Sequence, residues 1–280
     1  RTKRIEETKL KVKLFLAKES ADLSEISQKL YQVYFDKKSL ARAMKDAKRN
    51  TRFGTQENLD AKDTACAINE YLKKYKIDKW NVRITDKVDF YFQVRPKRKL
   101  ITISSSINWD YVGLDSALAH EVDGHVIRAI NAHAQKRYFR ENFPFYIKTE
   151  EGLSCYLSDY LSDGGELTRA HHAIKYLGGL FALAHSFRKT YEFFLNYGFT
   201  PDLAFQRTFR LKRGYTDTSQ PGCFAREAMY YEGMLEVKDY LEGGGDIRKL
   251  YAGKVGLRDL DLVPIPENQV IPKRTEIYLS

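Results

Sequence analysis

Residues 120–125 read H-E-V-D-G-H and place two histidines five positions apart inside an apolar run with helical spacing. At 3.6 residues per turn, five positions turn about 140° around a regular α-helix, so the His120 and His125 rings would point apart. A π-type bulge returns residues i and i+5 to one face, and such bulges gather at functional sites. Gly124 can absorb the distortion because it has no side chain. The spacing therefore predicts a π-bulge if the two imidazoles act together.

Two imidazoles with a carboxylate between them are typical of zinc hydrolases, whose usual spacing is H-E-x-x-H. A catalytic zinc takes three protein ligands and keeps one position open, so a third ligand is needed. Residues 149–153, T-E-E-G-L, offer two adjacent carboxylates at the start of another apolar helical segment. Neighbouring helix residues diverge by about 100°, so only one of the two can point at the metal. The alternative is two histidines on different helix faces and two acids that favour a helix N-terminus.

These two segments, together with K-R-G-Y-T-D-T-S-Q-P-G-C-F at residues 212–224 and Tyr230 followed by Gly233, occur in one order within about residues 80–260. In this they resemble the tyrosine carboxypeptidase-like zinc metallopeptidases, which include the microtubule-associated tyrosine carboxypeptidases of animals. The long 212–224 segment is too particular to arise from composition.

The resemblance implies that His120, His125 and Glu151 bind Zn²⁺ and that Glu121 is the general base that takes a proton from the zinc-bound water. One departure lies between the histidines, where the family reads Glu-Ile-Gly-Thr and this chain has its glycine one place later. The bulge is therefore expected to be built differently. We expect Asp123 to face solvent, with the orientation of a ligand histidine as the alternative.

Hydrolysis also needs a donor for the developing oxyanion, and Tyr230 is the candidate, although most of the nineteen Tyr must be packing residues. An exopeptidase acting at the C-terminus needs a cation for the terminal carboxylate, which Arg binds bidentately. Arg213 is the expected substrate-binding residue, and Arg210, three positions earlier, is the substitute. Because residues 212–224 are rich in turn-forming residues, we expect a loop there. A plain surface loop with helix-capping Thr and Asp is the alternative.

Composition limits the class of protein. A chain of 280 residues, 43% of them hydrophobic, can bury a large core. It has no run of eighteen apolar residues and no signal peptide at this start, so we expect a cytoplasmic protein without a membrane partner. The first residue is Arg rather than Met, which indicates a truncated or excised chain. Three widely spaced cysteines fit reduced thiols better than disulfides or a structural zinc site.

The net charge of +10 favours acidic partners. An acidic C-terminal tail of a peptide or protein would suit a carboxypeptidase, and the resemblance implies the tail of tubulin if the source is a eukaryote. Nucleic acid would suit the same charge, but the sequence lacks the usual nucleic-acid-binding signatures, so that partner is not expected. A solvated, lysine-rich surface would explain the charge equally well.

Helical spacing of apolar residues over most of the chain predicts a mainly helical protein. Two or three helices are expected within residues 3–50, followed by a loop at 50–58 and a helix at 64–75. The metal-binding helix is expected at 114–134. Further helices are predicted at 152–162, at 166–197 with a break near Gly178-Gly179, at 201–211, at 224–242 and at 246–260.

A period of two appears at residues 82–84, 90–94 and 100–103, and predicts a small antiparallel sheet that precedes the metal-binding helix. An edge strand beside the cleft could pair with an extended substrate. The predicted fold class is thus α+β and mainly helical. We expect an N-terminal helical segment, 1–60, packed on a metallopeptidase catalytic domain, 61–280.

Together these features predict a zinc metallocarboxypeptidase that removes a C-terminal residue from peptides or proteins, with an aromatic preference implied by the resemblance alone. Two alternatives stay open. One is an endopeptidase or aminopeptidase with the same site, which a missing carboxylate-binding Arg would favour. The other is an inactive basic protein that binds acidic tails or nucleic acid. Retention of Glu121 opposes the second, because a structural zinc needs no general base and usually has four protein ligands.

Overall fold

The computed structural model describes residues 2–17, 22–48, 59–86 and 90–279. The loop predicted at 50–58 lies outside the described residues. The predicted class is confirmed, because helices dominate and there is one three-stranded sheet in the described part of the chain. The division at residue 60 stays a prediction.

The helices follow the apolar spacing closely in most of the chain. Those before and around the metal motif are α1 (Thr2–Leu16), α2 (Leu23–Tyr31), α3 (Lys37–Asp46), α4 (Ala61–Lys74), α5 (Tyr111–Ala117), the π-helix (Leu118–Val126) and α6 (Ile127–Ala134). Those that follow are α7 (Ile147–Tyr160), α8 (Gly165–Ala182), α9 (Phe187–Asn196), α10 (Pro201–Leu211), α11 (Arg226–Glu242) and α12 (Ile247–Leu250). Residues 212–224 form no helix or strand, as predicted.

The sheet has the order β1-β3-β2, with strands at Asn81–Thr85 (β1), Phe92–Arg95 (β2) and Leu100–Ser104 (β3). β2 and β3 are antiparallel, as predicted, but β1 and β3 are parallel, so the prediction of an antiparallel sheet is wrong for that pair. The physical reason is burial. β3 is buried along almost its whole length and takes the centre, so β1 pairs with its far side and not with β2.

Helix α7 lies at the centre of the helical part, between the π-helix and α11. Its residues Lys148 to Asp159 are all buried. A Cβ atom on Gly152 would lie 2.3 Å from the carbonyl carbon of Gly233 on α11. The two glycines therefore allow α7 and α11 to pack with their backbones in contact.

Two predicted helix boundaries are wrong. α8 runs without interruption through Gly178 and Gly179, and the break comes after Ala182. Gly178 lies against the Phe194 ring, where a Cβ atom would be 2.5 Å from Cζ, so this glycine serves close packing and not chain reversal. The break is stabilised instead by Lys212, whose ammonium donates to the carbonyl oxygens of Ala182 and His185.

The helix predicted at 246–260 is also wrong, because only α12 and a 3₁₀ turn at Leu257–Leu262 form there. The cause is Arg128, a fully buried residue of α6. Its guanidinium donates to the carbonyl oxygens of Leu250 (2.8 Å) and Val255 (2.7 Å). These two carbonyl oxygens therefore accept hydrogen bonds from a side chain and not from the backbone N–H groups of a continuing helix.

Among the described residues, every helix is too short or too polar to cross a membrane.

Candidate metal centre

The π-bulge predicted from the histidine spacing is confirmed, since a π-helix occupies Leu118–Val126 within the longer helical stretch from α5 to α6. The ring centroids of His120 and His125 are 5.2 Å apart, with an interplanar angle of 73°. The wider turn therefore brings residues i and i+5 to the same face.

Gly124 allows this π-helix to approach α7. A Cβ atom at position 124 would lie 2.1 Å from Oγ and 2.8 Å from Cβ of Ser154. Any larger residue would push the two helices apart, and with them the histidines and Glu151. The glycine one place later than in the family motif is therefore compatible with a complete bulge.

Glu151 projects from α7 towards both imidazoles. Its Oε2 is 3.7 Å from Nε2 of His120 and 3.4 Å from Nε2 of His125. Ligand atoms of a tetrahedral zinc site with bonds of about 2.0–2.1 Å lie roughly 3.3 Å apart. Burial would raise the pKa of Glu151, but the positive charge of the adjacent His125 and the proximity of His120 hold it well below its usual range. Two imidazoles and an ionised carboxylate thus form a donor set that fits zinc.

Glu150 points to the other side of the same histidine. Its Oε1 is 3.1 Å from Nδ1 of His125, and it also accepts a hydrogen bond from the buried ammonium of Lys254. Arg128 approaches its second oxygen at 3.5 Å. Burial alone would raise the pKa of Glu150, but Lys254 and His125 lower it to about 2. Only Glu151 of the pair faces both imidazoles, while Glu150 contacts His125 from the opposite side.

The expectation that Asp123 faces solvent is wrong. Its side chain is fully buried, and Oδ2 accepts hydrogen bonds from Tyr71 Oη (2.9 Å) and Arg274 Nε (2.5 Å). Among the described residues the partners of Asp123 are thus Tyr71 and Arg274 and not a histidine, so Asp123 attaches the C-terminal segment to the back of the π-helix. Burial raises its pKa to about 6 despite the charge of Arg274.

Tyr230 lies on α11 and lines the same cleft as Glu121 and the three candidate ligands. Its ring lies parallel to that of His172, with centroids 6.4 Å apart, and the ammonium of Lys175 is 5.4 Å from its centroid. Burial, followed by the charges of Glu151 and Glu227, raises the pKa of Tyr230 well above its usual range. Tyr230 is therefore a neutral O–H donor at any physiological pH.

Both predicted substrate-binding arginines line the cleft, but the side chain of each already contacts another residue. The guanidinium of Arg213 is exposed and lies 4.6 Å from the centre of the Phe224 ring. Arg210 is ion-paired with the buried Glu227 at 3.4 Å. The structure thus brings the metal-binding candidates together, while it leaves Arg213 and Arg210 without a direct contact to them in the described contacts.

The cleft has a volume of about 1640 Å³. One wall is formed by β2 with its flanks, residues 90–98, and the opposite wall by α10 and the start of α11. Three of its charged residues, Arg226, Glu227 and Lys254, were not singled out from the sequence. Arg226 had a signal, since it precedes Tyr230 by one helical turn. Lys254 had none, because it lies in an irregular segment and meets Glu150 across 104 residues.

Comparison with known proteins supports the family resemblance. The family model described as microtubule-associated tyrosine carboxypeptidase matches residues 2–270. Microtubule-associated tyrosine carboxypeptidase 1 of Mus musculus is 29% identical over 203 residues, which make up 66% of this chain and 43% of that protein. The protein of the same name from Homo sapiens is 28% identical over 227 residues, 75% of this chain and 48% of its own length. The matched region therefore spans less than half of either relative.

Proposed function

Because this chain belongs to the microtubule-associated tyrosine carboxypeptidase family, we propose that it is a zinc-dependent carboxypeptidase that removes a C-terminal tyrosine or similar aromatic residue. The observation that carries the proposal is the convergence of Nε2 of His120, Nε2 of His125 and the Glu151 carboxylate at one side of a large cleft. Three protein ligands with an open side are the arrangement of a catalytic zinc. A structural zinc would usually be closed by a fourth protein ligand.

Zinc held by these residues would polarise the scissile carbonyl and make a bound water acidic enough to attack at neutral pH. Glu121, next to His120 and on the cleft surface, takes the proton of the attacking water and returns it to the leaving amine nitrogen. The Tyr230 hydroxyl donates a hydrogen bond to the oxygen that becomes negative as the carbonyl is attacked. The C–N bond then breaks, and the terminal amino acid leaves with its new amino proton.

The walls of the cleft support a peptide tail as the substrate. Within the described part of the chain β2 pairs with β3 on one side only, and all four of its residues line the cleft. An extended chain can bind such an edge through its backbone, as an added strand. Phe205 and Phe209, which are 53% and 56% exposed, add aromatic surface to the opposite wall.

The charge of the cleft supports an acidic tail. Seven arginine and lysine side chains line the cleft, against four carboxylates, three of which belong to the candidate metal centre. A positive cleft attracts an acidic peptide and raises its rate of association. In a eukaryote, the tail of tubulin is the partner that we propose, in agreement with a cytoplasmic location.

Mass spectrometry of an equimolar peptide pool that differs only in the C-terminal residue tests this function. The zinc-loaded protein should release one terminal residue, aromatic ones first, whereas Glu121→Gln, which keeps the ligands, should release none. Internal cleavage would instead indicate an endopeptidase. If neither protein cleaved any peptide while both bound zinc, the carboxypeptidase proposal would be wrong.

A further inference from the structure

A carboxypeptidase must bind the free carboxylate of its substrate, and the cleft offers several cations for this. The bound cation has to be free of other partners and close to the metal position, since one residue of extended chain spans only about 3.3–3.6 Å. Seven Lys or Arg side chains line the cleft in the described residues: Arg95, Lys97, Arg98, Arg210, Arg213, Arg226 and Lys254.

Three of these cations already have partners. Lys254 donates to Glu150, Arg210 is paired with Glu227, and Arg95 donates from Nε to the amide oxygen of Gln93 at 2.8 Å. Using any of them for substrate would break an existing contact, and for Lys254 this contact is buried. A buried carboxylate left without its cation is costly, so these three are poor candidates.

Three others lie at the mouth of the cleft. Lys97 and Arg98 are exposed in the turn between β2 and β3. Arg213 is exposed, and its guanidinium lies over the Phe224 ring. Exposed cations there can attract an acidic tail, but a solvated pair contributes little to holding a single group in place.

Arg226 differs from all six. It is partly buried, and in the part of the chain that the structure describes no hydrogen bond or ion pair to its guanidinium is recorded. It is the first residue of α11 and precedes Tyr230 by four positions, so both side chains project from one face of the helix, about 5–6 Å apart at Cβ. Arg226 also lines the same cleft as Tyr230 and Glu151, so its side chain is on the side of the molecule where the candidate ligands converge.

We infer that Arg226 binds the terminal carboxylate of the substrate, and that it therefore restricts the cleft to chains with a free C-terminus. This role presupposes the zinc carboxypeptidase proposed above and identifies its specificity-determining residue. Tyr230, whose hydroxyl would meet the scissile carbonyl oxygen, and Arg226, whose guanidinium would meet the carboxylate, are one turn apart on α11. That separation is close to the length of one terminal residue plus a hydrogen bond.

The helix that carries Arg226 is packed closely against α7. Gly152 and Gly233 hold α7 and α11 in backbone contact, so the helix that carries Arg226 and Tyr230 cannot move independently of the helix that carries Glu151. A guanidinium presented in this way can bind both carboxylate oxygens at once. A substrate that ends in an amide would offer this guanidinium one acceptor oxygen and no negative charge.

The inference is tested with two peptides, one ending in a free tyrosine carboxylate and the other in tyrosine amide. Their affinities are measured by calorimetry for the zinc-loaded protein carrying Glu121→Gln, which binds without turnover. Losing charge-assisted hydrogen bonds of this kind weakens binding about tenfold to a hundredfold. Arg226→Gln should weaken binding of the free acid by that factor and leave binding of the amide nearly unchanged. Arg226→Lys, which keeps the charge but not the bidentate geometry, should give a smaller loss.

Two comparisons make the outcome specific. Arg213→Gln and the distant surface variant Arg188→Gln should both keep the preference for the free acid. With residue release measured in parallel on the active protein, Arg226→Gln should raise KM for the free acid more than it lowers kcat.

The inference would be overturned if Arg226→Gln kept the preference for the free acid over the amide, or if Arg213→Gln lost it. In either case, release of the terminal residue by the wild type would still support the proposed carboxypeptidase. If the wild type bound acid and amide equally and released no residue, both proposals would be wrong.

Discussion

Glu150 Oε1 lies 3.1 Å from Nδ1 of His125, and this contact leaves the opposite ring nitrogen, Nε2, facing Glu151 at 3.4 Å. A carboxylate can only accept, so Nδ1 carries a proton towards Glu150, and Nε2 is the nitrogen that would give up its own proton and bind a metal. Two adjacent glutamates on α7 therefore contact the two nitrogens of one imidazole. The π-helix makes this possible, because it directs the His125 ring towards α7, where Glu150 and Glu151 lie.

We predict that Glu150→Gln lowers zinc affinity about tenfold to a hundredfold, the usual effect of losing a carboxylate behind a metal-bound histidine. A chelator competition assay on folded protein measures this. Glu267→Gln, at an exposed position that has no hydrogen bond or ion pair with the described residues, is the matched control and should bind zinc like the wild type. Equal affinity of Glu150→Gln and wild type would show that His125 is oriented without Glu150.

We predict that Gly152→Ala destabilises the fold by roughly 3 kcal/mol or more. The new Cβ atom would lie 2.3 Å from the carbonyl carbon of Gly233, and a backbone atom cannot move aside as a flexible side chain can. Thermal and urea unfolding measure the loss. Gly253→Ala is the control, because the nearest atoms are at 3.8 and 3.9 Å and the added methyl has ordinary contacts. Similar stability of the two variants would contradict the account of α7 and α11.

We predict that Arg274→Gln destabilises the protein by about 3–5 kcal/mol, because it leaves the buried carboxylate of Asp123 without its cation. The double variant Asp123→Asn with Arg274→Gln should lose less than the sum of the two single variants, as expected for a contacting pair. Arg258→Gln, an exposed arginine, should have little effect. Additive losses in the double variant would mean that the pair does not couple.

We predict that Lys175→Met is more stable than the wild type at pH 7 by on the order of 1–3 kcal/mol, and that this difference shrinks as the pH rises from 8 to 10.5. Burial lowers the pKa of Lys175 to about 8 from its ordinary value of about 10.5. Below pH 8 the folded protein bears the full penalty of a buried charge. Between the two values the folded state loses its proton while the unfolded state keeps it, so the wild type gains stability.

Unfolding in urea at several pH values measures this difference. Lys62→Met removes an exposed lysine and should give a difference that does not vary over the same range. A constant difference between Lys175→Met and wild type would show that the Lys175 ammonium is not penalised by burial.

The convergence of His120, His125 and Glu151 could be predicted from the sequence because the geometry of each motif is local. The five-residue spacing of His120 and His125 demands a wider helical turn whatever surrounds it, and the 100° step between Glu150 and Glu151 allows only one of them to face that turn. The partners of Asp123 could not be predicted in the same way. Tyr71 and Arg274 lie 52 and 151 positions away, and nothing near residue 123 indicates which distant side chains will cover it.

The same reasoning explains the sheet and the carboxylate-binding residue. The parallel pairing of β1 with β3 depends on which strand is buried in the centre, which alternation along a single strand does not reveal. Arg213 was favoured because it begins a distinctive loop segment. The spacing of four between Arg226 and Tyr230 is the better indication of a shared site, because it places both on one face of a helix. It becomes informative only once α11 is known to line the cleft.

The central claim is that one zinc ion held by His120, His125 and Glu151 is required for release of the terminal residue. Zinc is titrated into metal-free protein while tyrosine release from a peptide with a C-terminal tyrosine is followed. Activity should rise linearly and level off at one zinc per chain, and His125→Ala should neither bind zinc in this way nor release tyrosine. Full tyrosine release by the metal-free protein, or by His125→Ala, would contradict the account.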